Sequence, residues 1–504
     1  MKHVLLAFWP ALIALMLWLS GCDRPVNFER SGALGFSEVN DSIIFDTIFT
    51  TVNSPTERLF IYNRSGHNVE VSNIRIAGGD DSPFKLILDG VTGQTHDNVR
   101  IAKGDSMYAF FSMKKTIPPG ADEDVVDQFL LTVGETHYKL IIYARVLDAH
   151  IMRDTVLPCD YTMPVDKPVL VDGYLYVDTN CTCRIPAGAK LYFTPRKDDR
   201  YNFFSQIYVD GTLLVGGDGV GGPQVLFTNF RLNKDYQEYA GQWQGIRFSQ
   251  ISKGNVINNA LIKNGSNGVE VREYDRSGSQ EPKLLIKNTE IRNMTNYGIL
   301  AFGTNKTPLV APMIQGYNLL VHSTGQSCVG LVGGGKYDFT HCTFYNNRNI
   351  TTSRTEPVFG MNNYLKYYTK EGKDSVTTAY QGELKIRNCI VWGTNDVEIS
   401  FDKHPNGELQ TLVGYNLIRF APRDTTTDFA KDMKTRLTAL PNDLNFDPRF
   451  KDVYKDDFHL LEESPARDKG YPGIPAEMND DLAGKSRVDD AAPDIGCYEY
   501  QPKN

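Results

Sequence analysis

Five side chains that share one place in a recurring pattern could hold a sugar: Lys263, Arg292, His322, Tyr345 and Trp392. Aromatic faces stack on sugar rings, and Arg or Lys pairs with a carboxylate or sulfate. The same residue types also serve as an ordinary solvated sheet face. Cleavage chemistry asks for more. Elimination from an acidic sugar needs a cation and a Lys, Arg or Tyr base, and hydrolysis needs two facing carboxylates about 5 to 9.5 Å apart. On these columns acids are scarce. Glu290 stands without an acidic partner at the same place in neighbouring units, so no catalytic residue is assigned. A lyase built on Lys287 or Arg292 remains the alternative, without an evident metal site. Cys181-Thr182-Cys183 lacks the two-residue gap of a zinc knuckle. Asp480, Asp481, Asp489, Asp490 and Asp494 lack the spacing of a calcium loop and read as turn formers. No metal and no cofactor is expected.

The element that positions these residues is a repeat. Asn259, Asn288, Asn318, His341, Asn388 and Asn416 mark successive copies, at steps of 29, 30, 23, 47 and 28 residues. Apolar residues stand two before each marker and, with small ones, one and three after it, so the parity switches and the strand must bend there. Asn tolerates the left-handed backbone such a bend needs, and stacked amides bond along an axis. Two inward columns follow: Ala260, Thr289, Leu319, Cys342, Cys389 and Leu417; then Ile262, Ile291, Val321, Phe344 and Val391. A second marker, Gly268, Gly298 and Cys328, runs in step. Stacked coils of parallel strands explain this pattern.

The repeat over about residues 165–420 resembles right-handed parallel β-helix proteins of the pectate-lyase-like superfamily. That resemblance implies a fold, since the superfamily holds lyases, hydrolases, epimerases, adhesins and stalks. In Gly241-Gln-Trp-Gln-Gly-Ile-Arg-Phe248, a strand opening of related proteins, Trp243 is expected to pack. The segment from Asp457 to Tyr500 resembles the tail that closes the last coils in many bacterial β-helix proteins. Before the repeat, Leu59 and Ile61 alternate with Phe60 and Tyr62, and Phe84, Leu86 and Leu88 precede Asp89-Gly90. Period-two runs between turns predict a small antiparallel β-sandwich, similar to immunoglobulin-like modules. The fold class is therefore all-β: an Ig-like sandwich (36–150), a β-helix (151–440) and a C-terminal capping segment (441–504).

The start reads as an export signal (1–21) and a tether (22–35). Met1-Lys2-His3 is a positive head, Val4–Leu19 an apolar run short of the roughly 20 residues that span a bilayer, and Ser20-Gly21 a small-residue cut site. Leu19-Ser20-Gly21-Cys22 resembles the lipobox of bacterial lipoproteins, which implies lipid on Cys22 and a membrane as partner. The remaining cysteines are Cys159, Cys181, Cys183, Cys328, Cys342, Cys389 and Cys497, an odd set that cannot pair fully; a Cys342–Cys389 bridge between coils is sterically open. A net charge of −8 argues against nucleic acid as partner. The expected function is that of a non-catalytic envelope lipoprotein, on the outer membrane of a Gram-negative bacterium. Its β-helix surface binds polysaccharide or an envelope protein; a polysaccharide-cleaving enzyme and a structural stalk are the alternatives.

Overall fold

The computed structural model describes residues 27–37, 42–196, 204–217, 222–232, 236–273, 280–304, 307, 309–346, 354–368, 375–489 and 492–502. Cys22, the signal segment and the first residues of the tether lie outside them. The chain divides into two compact units, Met1–Asp148 and Ala149–Asn504. No helix among the described residues is long and apolar enough to cross a membrane.

In the first unit, alternation lays down two five-stranded sheets. One has the order Leu34–Phe36, Glu57–Asn63, Ser106–Met113, Phe84–Leu88, Val91–Thr92; the other has Ser42–Phe49, Thr136–Leu147, Glu123–Val133, Val69–Ile76, Thr95–Ile101. Inward residues of both sheets share one core, with Phe45 against Phe84 at 5.5 Å and Phe111 edge-on to Phe129 at 4.9 Å. The sheets are not purely antiparallel. Ser42–Phe49 runs parallel to Thr136–Leu147, with a register shift between Ala144 and Arg145. Part of the expected tether is tied down as well: Leu34–Phe36 is a strand, and the Glu29 amide donates to the Asn68 carbonyl.

In the second unit the repeat forms three parallel ladders of stacked strands, a parallel β-helix. The first ladder runs through Asn255–Asn258, Lys287 and Tyr317 to Gly382–Arg387 and Leu409–Gly414; the second runs through Ala260–Lys263, Ile291 and Val321 to Thr343–Asn346 and Ile390–Gly393. The third holds Gln206–Val209, Gly245–Phe248, Val269–Glu273, Ile299–Gly303, Val329–Val332, Phe359–Asn362 and Ile399–Asp402.

Asn259, Asn288, Asn318, His341 and Asn388 all take positive φ, between 48 and 53°. Their side chains bond up the stack: Asn288 Nδ2 donates to Asn258 Oδ1 (2.8 Å), Asn318 Nδ2 to Asn288 Oδ1 (3.0 Å), and Asn388 Nδ2 lies 2.9 Å from His341 Nε2. Ala260, Thr289, Leu319, Cys342 and Cys389 are buried, as is the second column. The last copy slips by one residue. There Tyr415 takes the left-handed bend, and Leu417 registers with Ile390 on the outward side, so Leu417 leaves the inward column.

Trp243 packs as expected, stacked on Phe193 at 4.0 Å with its indole N–H donating to the Lys263 carbonyl. The disulfide is Cys159–Cys181; Cys342 and Cys389 are buried free thiols. The end of the stack is covered by a helix, Asp428–Thr438, whose Met433 and Leu437 join the core. The C-terminal segment instead runs back along the flank of earlier coils: Asn318 Nδ2 donates to the Asp480 carbonyl, Tyr471 N to Asn388 Oδ1, and Cys497 N to Thr343 Oγ1.

Candidate active site

On the third ladder, period two sends Ile207, Val209, Ile246, Phe248, Val269 and Val271 inward and Tyr208, Arg247 and Glu270 outward. Tyr208, Arg247 and Glu270 are direct register partners on consecutive strands. Arg272 follows Glu270 at the next outward position, and Asp210 follows Tyr208 just past its strand. Asp210-Gly211 can turn tightly because position 211 is glycine: a Cβ there would meet the Cys181 carbonyl at 2.2 Å.

Tyr208, Asp210, Arg247 and Arg272 line an open cavity of about 290 Å³ together with Ser249, Gln250 and Ile251, while Glu270 is buried beside it. Two guanidinia bracket Glu270: Arg272 Nε at 2.6 Å and Arg247 Nε at 3.4 Å from Oε1. Each guanidinium also lies over a ring, Arg247 over Tyr208 (5.6 Å) and Arg272 over Phe302 (5.0 Å). The Tyr176 hydroxyl donates to Asp210 Oδ2 at 2.5 Å, and this bond, with burial, holds the Tyr176 proton far above the usual tyrosine range. Burial likewise raises Tyr208, with the Asp210 charge adding to it and Arg247 opposing. The cluster therefore offers one open carboxylate, Asp210, two cations and a flat apolar face at one cavity, with a second carboxylate, Glu270, buried between the two guanidinia.

The predicted contacts Lys263, Arg292, His322, Tyr345 and Trp392 do stack in register on the outward face of the second ladder. They do not form an open surface: the C-terminal segment covers His322, Tyr345 and Trp392, and ion pairs occupy Lys263 and Arg292. The His322 side chain is 1% exposed and lies 4.7 Å from the Phe458 ring; Tyr345 meets Phe450 and Phe458 edge-on, and Trp392 is buried beside Ile390 and Leu460. Arg292 is shared among three carboxylates: Glu238 Oε2 at 2.6 Å, Asp456 Oδ2 at 2.9 Å and Glu290 Oε1 at 2.9 Å. Lys263 pairs with Glu238 at 2.9 Å, and His322 Nε2 lies 3.3 Å from Glu290. Burial alone would raise the Glu290 carboxyl, but His322, Arg292 and Lys263 outweigh it and hold it below its usual value. Every charge here has a protein partner, so the cluster fastens one segment to another.

A second lock lies deeper. Arg487 and Glu499 form a fully buried pair at 2.5 Å, and Arg487 Nη2 donates to Asn318 Oδ1 at 3.0 Å. Burial, partly offset by Arg487, pushes the Glu499 carboxyl up to about 7.

No family model matches the chain, and no curated protein matches it. Among solved structures, it is similar to the catalytic unit of a GH87 α-1,3-glucanase from Streptomyces thermodiastaticus (10% identity, 72% of this chain and 68% of that one, TM-score 0.22). It is also similar to a family 28 exopolygalacturonase of Yersinia enterocolitica (8% identity, 71% and 89%, TM-score 0.20). A shorter stretch is similar to an ASH/PapD-like domain of human CEP192 (11% identity, 25% and 92%, TM-score 0.17). Likenesses at this level assign no activity or substrate to this chain.

The expected non-catalytic binding surface is corrected: the stripe that was to bind is covered and its charges are already paired within the chain. The site missed from sequence is the third ladder's. Its residues follow no Asn marker, and Asp210, Arg247 and Glu270 are 37 and 23 residues apart. The available signal was outward parity in Gln206–Val209, Gly245–Phe248 and Val269–Glu273, read as a third column.

Proposed function

We propose that the second unit is a carbohydrate-active enzyme that cleaves an anionic polysaccharide, with its site at Tyr208, Asp210, Arg247, Glu270 and Arg272. One observation carries this reading: Asp210, Tyr208 and two guanidinia line one open cavity, and both guanidinia grip the buried carboxylate of Glu270 beside it. Guanidinia suit the carboxylate or sulfate of the glycan, and the rings suit its apolar sugar faces. Hydrolysis is the reaction two carboxylates support, one protonating the leaving oxygen and one activating water. Asp210 and Glu270 lie two strands and two residues apart, about 12 Å along the backbone at about 4.8 Å per strand and about 3.3 Å per residue, wider than a retaining pair and leaving inverting hydrolysis as the reading.

The test is purified protein on uronate-bearing, sulfated and neutral glycans, following reducing ends and unsaturated-uronate absorbance. D210N and E270Q should each lower turnover about a hundredfold or more. R247A should raise KM on charged substrates. Absorbance growth would replace hydrolysis by elimination, and no cleavage of any anionic glycan sinks the reading.

The same proposal takes the first unit as an immunoglobulin-like sandwich and the coil as right-handed. It places the protein on the outer membrane of a Gram-negative bacterium, held by lipid on Cys22. The support is the lipobox sequence Leu19-Ser20-Gly21-Cys22 and, for an oxidising exported environment, the Cys159–Cys181 disulfide.

A further inference from the structure

The first unit carries an outward sheet face that its own fold does not use. Alternate residues of Glu57–Asn63 and the residue just beyond build a stack along one strand: Arg58 over Phe60 at 5.0 Å, Phe60 parallel to Tyr62 at 5.8 Å, and Arg64 over Tyr62 at 4.8 Å. The neighbouring strand adds Tyr108 and Phe110, parallel at 5.8 Å, with Tyr108 4.5 Å from Phe60. Ile87 stands opposite Phe110, and Lys85 is exposed at the far side. Tyr108 is 42% exposed. Gly35 leaves room for the end of the stack, since a Cβ there would come 2.7 Å from Arg64 Nε.

Charge decides what fits. Arg58, Arg64 and Lys85 rim the rings, and no carboxylate occupies an outward position on Glu57–Asn63, Ser106–Met113 or Phe84–Leu88. This cationic, aromatic face sits on a chain of net charge −8. The stacked guanidinia are held flat, which lowers the entropy lost when they grip an anion. From Arg58 to Arg64 the ladder runs about 20 Å at about 3.3 Å per residue, long enough to meet several units of a linear ligand.

We infer that this face binds an anionic polysaccharide, its carboxylates or sulfates on Arg58 and Arg64 and its sugar rings against Tyr62, Phe60 and Tyr108. It is a binding site apart from the cleavage site, and it stands whether or not the chain cleaves what it holds.

Retention of the full chain on immobilised polygalacturonate, with dextran as the neutral control, tests it. Wild type is retained on polygalacturonate and not on dextran. R58A/R64A and F60A/Y108A each weaken retention at least tenfold with the thermal midpoint unchanged, and R58K/R64K, which keeps charge but loses the planar fork, weakens it less. Unchanged retention in R58A/R64A overturns the inference. If R247A/R272A then removes it, the cleavage site is the binder and only the proposal for the sandwich face fails. Competition by polyglutamate or by phosphatidylserine vesicles as strong as by soluble polygalacturonate also overturns it, by assigning the face to an acidic peptide or a lipid surface.

Discussion

Asn318 shows how much one residue does in this coil. It holds a left-handed bend (φ 51°), donates to Asn288 and to the Asp480 carbonyl, and accepts from the buried Arg487. Asn318→Ala removes all three bonds, leaves a guanidinium proton unmet and strains the bend. The expected cost is about 3 kcal/mol, read as a lower midpoint in urea unfolding. Asn318→Gly should recover about 1 kcal/mol of that, because it relieves only the backbone. A glycine variant as unstable as the alanine one would assign the whole effect to the amide. The bend was legible in the sequence because Asn recurs where parity switches, and five of the six markers adopt it. At the sixth the eye follows Asn416 while Tyr415 makes the turn. A one-residue slip at a weak copy reverses which side chains face in.

Docking of the C-terminal segment belongs to the scale of elements. Arg292 joins the loop residue Glu238, the strand residue Glu290 and Asp456 of the tail, while His322 and Lys263 complete the charges that face them. Arg292→Ala leaves three carboxylates without their shared cation. Hydrogen exchange should then accelerate across Phe450–Leu460 more than across the Asn255–Asn258 ladder. A uniform rise over both would refute a local latch. Acid acts on the same contact. Glu290 is held below its ordinary value of 4.5, so the stability it contributes is complete above about pH 4.5 and is lost as pH falls through its lower folded value. Exchange in the tail should therefore rise below about pH 4.5 in wild type and lose this step in Glu290→Gln. The register of the stripe was readable from spacing alone. Its burial was not, because Asp456 lies 164 residues from Arg292 and nothing local announces that contact. The third ladder, without a marker residue, was equally silent.

For the whole molecule, the sequence shows the all-β class and the coil, whose signal is repeated many times. The cleft on the third ladder shows only when strands from three coils are brought side by side. The proposed lipid anchor is a separate matter and carries its own prediction. If lipid on Cys22 holds the protein, Cys22→Ser should move it from the membrane fraction to the soluble one and abolish palmitate labelling. Continued labelling with the serine variant would place the lipid elsewhere.

The flank-hugging tail also bears on how such a chain is made. Residues that cover His322 and fill the space beside Asn318 emerge well after the coils they complete. Until those residues are made, the middle coils stand with an apolar, charge-lined seam uncovered. Only arrival of Phe458, Arg487 and Cys497 shuts it. A chain that lacks Phe458, Arg487 and Cys497 therefore leaves its middle coils with that seam bare.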